Sequence, residues 1–183
     1  MKKILILMLT VAMLVLCLTA CGDNEGTDNT TKGAESFGEV LSLRGIDHTM
    51  YQFSTPDRVA YASQVTEETV DVVELGYDGQ TVSELVKTFY MNVEQYDVAQ
   101  RTSVKESMEN SFSKAEGIAG VTITHNLTDK YYIMKIEIKG LNDPSVADEV
   151  NSAGILDFAK DTRLEFTVKA LESALLSNGY IKK

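Results

Sequence analysis

Tyr131-Tyr132-Ile133-Met134-Lys135-Ile136-Glu137-Ile138-Lys139 decides the fold, because its side chains alternate with a period of two. Tyr132, Met134, Ile136 and Ile138 share one face, and Lys135, Glu137 and Lys139 point the opposite way. This is the pattern of a strand with one buried and one wet side, which suits an antiparallel sheet. Immediately upstream, Val121, Ile123 and His125 alternate in the same manner, and Asn126 to Lys130 separates the two runs as a hairpin loop.

Further out, strands of about Arg58–Val65 and Val70–Tyr77 flank a turn at Thr66-Glu67-Glu68-Thr69, with Val73, Leu75 and Tyr77 on one face. Asp78-Gly79 follows, a strong signal for a tight two-residue turn. The segment Gln80 to Tyr96 fits two periods. As a helix it carries a stripe of Val82, Leu85, Val86, Phe89, Tyr90 and Val93. As a strand it lines up Leu85, Phe89, Met91 and Val93, interrupted by Lys87. The strand is preferred, since Asp78-Gly79 otherwise has no hairpin to close.

Two helices complete the set. Ser103-Val104-Lys105-Glu106 fits a capping box, followed by Val104, Met108, Phe112 and Ala115 at helical spacing and a stop at Gly117. Thr162-Arg163-Leu164-Glu165 fits a second, with Leu164, Val168, Leu171 and Leu175 as its stripe and Asn178-Gly179 as its stop. The expected fold class is α+β: an antiparallel sheet of hairpins with two main helices packed on one face. Phe37 to Pro56 is of mixed character and opens the domain with a short helix or strand.

The amino terminus reads as an address. Met1-Lys2-Lys3 precedes an apolar run from Ile4, and Leu18-Thr19-Ala20-Cys21 closes it. This pattern resembles a bacterial lipobox, whose thiol receives a diacylglyceryl group before cleavage in front of the cysteine. An uncleaved transmembrane helix needs about 20 apolar residues, more than Ile4 to Ala20 supplies. Each buried methylene contributes about 0.8 kcal/mol and two chains anchor stably, so a lipidated Cys21 ties the chain to a membrane. The expected organisation is a signal peptide over 1–20, the lipidated cysteine and a Gly-, Asp- and Thr-rich flexible tether over 21–36, and one α+β domain over 37–183.

Cleavage removes Lys2 and Lys3 with residues 1–20, leaving 15 basic against 27 acidic residues, a balance of −12. That charge argues against nucleic acid, which needs Lys and Arg, and against a polybasic grip on anionic lipid. Cys17 leaves with the signal, so Cys21 is the single mature cysteine; disulfides, thiolate catalysis and cysteine-bound zinc are excluded within one chain.

Asp78-Gly79-Gln80-Thr81-Val82, the capped helix after it, Glu116-Gly117-Ile118-Ala119-Gly120-Val121 before a hairpin, and the ending Leu176-Ser177-Asn178-Gly179-Tyr180-Ile181-Lys182-Lys183 together resemble the YehR-like lipoprotein family. The resemblance covers about residues 57–183 plus the lipobox. It implies a strand after Asp78-Gly79, an extracytoplasmic compartment and the fold. It implies no activity, cofactor or catalytic residue.

Candidate chemistry is sparse. His48 and His125, the two imidazoles, have no i, i+4 metal-binding partner. His125 reads as a hydrogen-bonded core or rim residue and His48 as an exposed loop neighbour of Asp47. Asp143 to Glu149 lacks calcium-loop spacing and reads as a solvated loop, and Asp157 and Asp161 stand nearby. Gly-x-Ser-x-Gly and phosphate-cradling loops are absent. Tyr90, Tyr131 and Tyr132 read as core or cross-strand aromatics before they read as a binding face. The expectation is a lipid-anchored domain on the outer side of a bacterial membrane, without metal or cofactor, that binds a small molecule or protein or serves envelope maintenance. In a diderm the outer membrane is open to it, since Gly22 replaces the aspartate linked to inner-membrane retention. The alternatives are an envelope hydrolase assembled from Asp, Glu and Tyr, with Asp148, Asp157 and Asp161 as acidic candidates, and an accessory subunit delivering a ligand to a transporter.

Overall fold

A computed structural model describes residues 36–51, 57–113, 115–156, 158 and 164–183. Cys21, most of the 21–36 tether, Asp157, Asp161, Thr162 and Arg163 lie outside the described residues. Among the described residues, no helix is long and apolar enough to cross a membrane.

The elements run α1 (Phe37–Ser42), a 3-10 turn (His48–Tyr51), β1 (Arg58–Gln64), β2 (Thr69–Asp78), β3 (Thr81–Asn92), α2 (Val98–Phe112), β4 (Val121–Leu127), β5 (Tyr131–Lys139), α3 (Pro144–Ala153), α4 (Val168–Ser177) and β6 (Ile181–Lys182). The six strands form one antiparallel sheet in the order β4-β5-β3-β2-β1-β6. The α+β expectation holds, and residues 80–96 do supply a strand. The turn before it sits one residue later than Asp78-Gly79 suggests. Asp78 pairs with Thr81, so Gly79 and Gln80 form the loop, and Gly79 takes the positive φ of 61° there. The register slips between Gly76 and Tyr77, leaving Ser83 unmatched, and its Oγ donates to the Gly76 carbonyl at 3.4 Å.

Inward-facing residues build the larger core. Val73 and Leu75 of β2, Leu85 of β3, and Tyr132, Met134, Ile136 and Ile138 of β5 meet Val150 of α3 and Leu171 and Leu175 of α4. Full burial of a side chain such as Leu171 is worth about 1.5–3 kcal/mol. Tyr77 is half-buried against this core, as its place in the alternation requires.

The opposite face is not simply wet. Residues 36–51 form a cap over part of it, with Phe37, Val40, Leu41, Ile46 and Tyr51 packed on Ala60, Ala62, Val70, Val72 and Tyr90. The mixed segment that opens at Phe37 therefore supplies a helix and a 3-10 turn, and it gives the second face of β2 an apolar cover.

The helix boundaries correct three expectations. The second helix starts five residues before Ser103: Asp97 accepts from the Gln100 amide at 2.8 Å and Gln100 Oε1 accepts from the Asp97 amide at 2.9 Å. This box outcompetes Ser103-Val104-Lys105-Glu106, which lies within the helix, and α2 ends at Phe112 rather than at Gly117. The final helix begins after Thr167, whose Oγ1 accepts from the Ala170 amide at 3.2 Å; Leu164 to Phe166 precede it in non-helical conformation. Asp143 to Glu149 is no loop. Asp143 caps α3 by accepting from the Ser145 amide at 2.9 Å, Pro144 opens its first turn, and Gly154 closes it at φ 63°.

Candidate functional site

The cap ends part-way along the sheet, and beyond it the same face carries ionic side chains on four adjacent strands. The register sets them in rows. Arg58, Gly76, Glu84 and Lys139 lie side by side, and the next row holds Ala60, Glu74, Val86, Glu137 and Thr122. Lys135 and Thr88 continue the lattice toward the cap. Arg58 donates to Glu84, and Lys135 Nζ donates to Glu137 Oε1 at 2.5 Å. The Lys135 bond holds the Glu137 carboxyl below the usual carboxylate range.

Glu74 stands in the middle of this lattice. Burial pushes its carboxyl up from the ordinary value, opposed by the positive fields of Lys135 and Arg58 and assisted by Glu84 and Glu137. Where the cap meets the lattice, the Tyr51 and Tyr90 hydroxyls share a buried hydrogen bond of 2.7 Å. Burial raises both phenols, so they act as neutral groups. The result is a sheet surface of alternating charge with one half-buried carboxyl at its centre, able to take complementary polar and charged groups across several strands.

A second polar group lies under the helices. Lys87 Nζ is 2.9 Å from Asp71 Oδ2, with side-chain exposures of 5% and 4%, and the Tyr180 hydroxyl donates to the same oxygen at 3.0 Å. The Asp71 register partner is Phe89 and that of Lys87 is Val73, so the pair lies on a diagonal of the central hairpin. It ties the segment before β6 to the middle of the sheet.

The residues singled out in the sequence scatter. His125 lies on the core side of β4, with Nδ1 2.6 Å from the Tyr132 hydroxyl, in the hydrogen-bonded rim position expected. Burial raises the Tyr132 phenol. His48 is exposed as expected, with Nδ1 3.4 Å from Ser42 Oγ, while Asp47 bonds Thr49. Asp148 is exposed on α3, and Asp157 and Asp161 lie outside the described residues. Among the described residues no group of three His, Cys, Asp or Glu could hold a metal. Tyr90, Tyr131 and Tyr132 are structural: Tyr90 and Tyr131 meet edge to face at 6.4 Å, and the Tyr131 hydroxyl donates to the Arg44 carbonyl of the cap.

The sequence reading missed Asp71, Lys87 and Glu74. A signal for the first two existed: Lys87 breaks the apolar face of β3, and Asp71 interrupts the run Val70 to Val73. Opposite charges at inward positions of two strands joined by a tight turn are candidates for a buried pair.

Among solved structures, the NMR structure of the Escherichia coli YehR protein aligns with a TM-score of 0.57 at 14% identity, covering 70% of this chain and 91% of that one. The fold is YehR-like. That likeness is of fold alone. The NMR structure of a protein from Streptococcus pneumoniae TIGR4 aligns at 0.46 and 13% identity, over 90% of this chain and 99% of that one, which is too low to add to the comparison. No family model and no curated protein matches the chain.

Proposed function

We propose that this protein is a bacterial lipoprotein, held to the extracytoplasmic face of a membrane through a diacylglyceryl thioether on Cys21, whose folded domain binds a partner through the charged end of the sheet. The carrying observation is the half-buried Glu74 set within rows of Arg58, Glu84, Glu137 and Lys139 on the face the cap leaves open. A surface of this kind favours specificity over bulk affinity, because each partner charge must meet its opposite. The anchor rests on Leu18-Thr19-Ala20-Cys21 and its apolar lead.

Two experiments test this reading. Cys21→Ala releases the chain from the membrane fraction, and the native chain carries an added acyl mass; retention of the variant or a missing acyl mass refutes the anchor. A photo-crosslinking residue at Lys139 gives a discrete adduct in cells that the same residue at Glu67, in the exposed turn between β1 and β2, does not. Equal adducts from both positions refute the face.

One observation favours a second reading, an envelope hydrolase. A carboxyl raised by burial beside two further carboxyls is what a general acid requires. On this reading Glu74→Gln abolishes hydrolysis of envelope glycan or peptide substrates while binding persists.

A further inference from the structure

The two edges of the sheet are built differently. β6 is a two-residue strand ending in Lys182, a short and charged edge that offers little to another strand. β4 is seven residues long, Val121-Thr122-Ile123-Thr124-His125-Asn126-Leu127, with no proline, lysine or carboxylate and with an unbroken register to β5. Within the strand itself there is no charge, proline or bulge of the kind that usually protects an exposed edge.

The hydrogen bonds show which backbone groups this edge presents. The Lys139 amide donates to the Gly120 carbonyl at 2.9 Å and the Thr128 amide to the Tyr131 carbonyl at 2.8 Å. With Val121 opposite Ile138 and Leu127 opposite Tyr132, these bonds place Thr122, Thr124 and Asn126 in the pairs bonded to β5. The amides and carbonyls of Ile123, His125 and Leu127 therefore point away from the sheet. Among the described residues none of the three has a hydrogen bond on that side.

Two further features lie beside this strand. α2 packs beside β4 with Val104, Met108 and Phe112 half-buried on the core and none of its 15 positions fully buried. Among the described residues, His125 Nε2 is shielded from water and has no hydrogen-bond partner.

We infer that β4 pairs with β4 of a second copy, antiparallel about a twofold axis through His125, joining two six-stranded sheets into one. The outward trio is self-complementary in that register. Ile123 faces Leu127 of the partner subunit, His125 faces its own counterpart, and each pair exchanges two backbone hydrogen bonds. The match of Ile123 with Leu127 puts apolar against apolar, and Thr124 meets Asn126 of the partner subunit on the other face. Although the chain carries a net charge of −10, the strand itself is uncharged, so no like charges meet between the two paired strands. An extended segment of another protein is the competing occupant. The symmetry of the outward trio favours a second copy.

Cysteine pairs read this register directly. Thr124 and Asn126 of the two copies form a non-hydrogen-bonded pair with Cα atoms about 4.5 Å apart, within disulfide reach. Two tagged full-length chains, one Thr124→Cys and one Asn126→Cys, expressed together in the membrane form a mixed disulfide on mild oxidation. Each variant alone forms no more cross-linked dimer than the wild-type chain oxidised in parallel. In a second measurement, Thr124→Lys, an exposed position, weakens self-association at least tenfold by light scattering while its circular dichroism stays that of the wild type. No mixed disulfide above background, or equal cross-linking by Thr124→Cys alone, overturns the pairing. So does a wild-type chain that stays monomeric to about 100 μM, a concentration at which even a weak specific dimer is populated.

Discussion

Lys87→Met tests the buried ion pair most directly. The Lys87 ammonium and the Asp71 carboxylate are 2.9 Å apart with about one-twentieth of each side chain exposed, and Tyr180 donates to the same carboxylate oxygen. Removing the ammonium leaves a carboxylate inside the sheet without its principal counter-charge. Breaking a buried pair from one side costs about 3–5 kcal/mol, a large part of the total stability of a domain. Tyr180→Phe removes one hydrogen bond to a charged acceptor and costs about 1.5–3 kcal/mol. Lys105→Met, which opens the exposed i, i+4 pair with Glu109 on α2, costs about 0.5 kcal/mol or less. The decisive variant is the double substitution Asp71→Val with Lys87→Met. It replaces both charges by apolar groups and recovers most of what Lys87→Met loses, because burying a pair costs nearly as much as its attraction returns. Urea unfolding at pH 7 followed by far-ultraviolet circular dichroism measures these four and Asp71→Val alone, and the cycle of the Asp71 and Lys87 single and double variants isolates the coupling. A loss below about 1 kcal/mol for Lys87→Met, or a double variant no more stable than the single, would refute the reasoning.

Three further outcomes follow from particular contacts. The raised Glu74 carboxyl holds its proton more tightly in the folded than in the unfolded chain, so its contribution is present below the ordinary carboxyl value and is lost as pH rises through the folded one. Glu74→Gln therefore raises the urea midpoint relative to wild type at pH 7, and the difference shrinks toward pH 4; a constant difference across that range contradicts the assignment. A Cβ at Gly120 would stand 2.3 Å from the Lys139 carbonyl oxygen, at a φ of +80°, so Gly120→Ala destabilises by at least about 2 kcal/mol in thermal or urea unfolding. Thr167→Ala removes the hydroxyl that accepts from the Ala170 amide at the start of α4 and costs about 1 kcal/mol by the same assay.

The strands were readable because alternation is a local property: Tyr132, Met134, Ile136 and Ile138 must share a face whatever surrounds them. Helix boundaries were less readable, since a capping box is a short pattern that recurs by chance. Asp97 with Gln100 won over Ser103 with Glu106 because it lies where the chain leaves β3, and tertiary position selects among local candidates. The helix Pro144–Ala153 carried its own signals in Asp143, Pro144 and Gly154, but its acidic first half masked the apolar Val146 and Val150.

By itself the sequence determined the strand periods and the α+β class, both encoded in neighbouring residues. Only the tertiary structure decided that residues 36–51 cap one end of the second face and leave the Glu74 lattice open beyond them. It alone placed Tyr180 against Asp71, 109 residues away in the chain, with Lys87 closing the pair. Such contacts depend on strand order and register, and these are settled by the burial of whole faces at once, a collective balance that no single segment records.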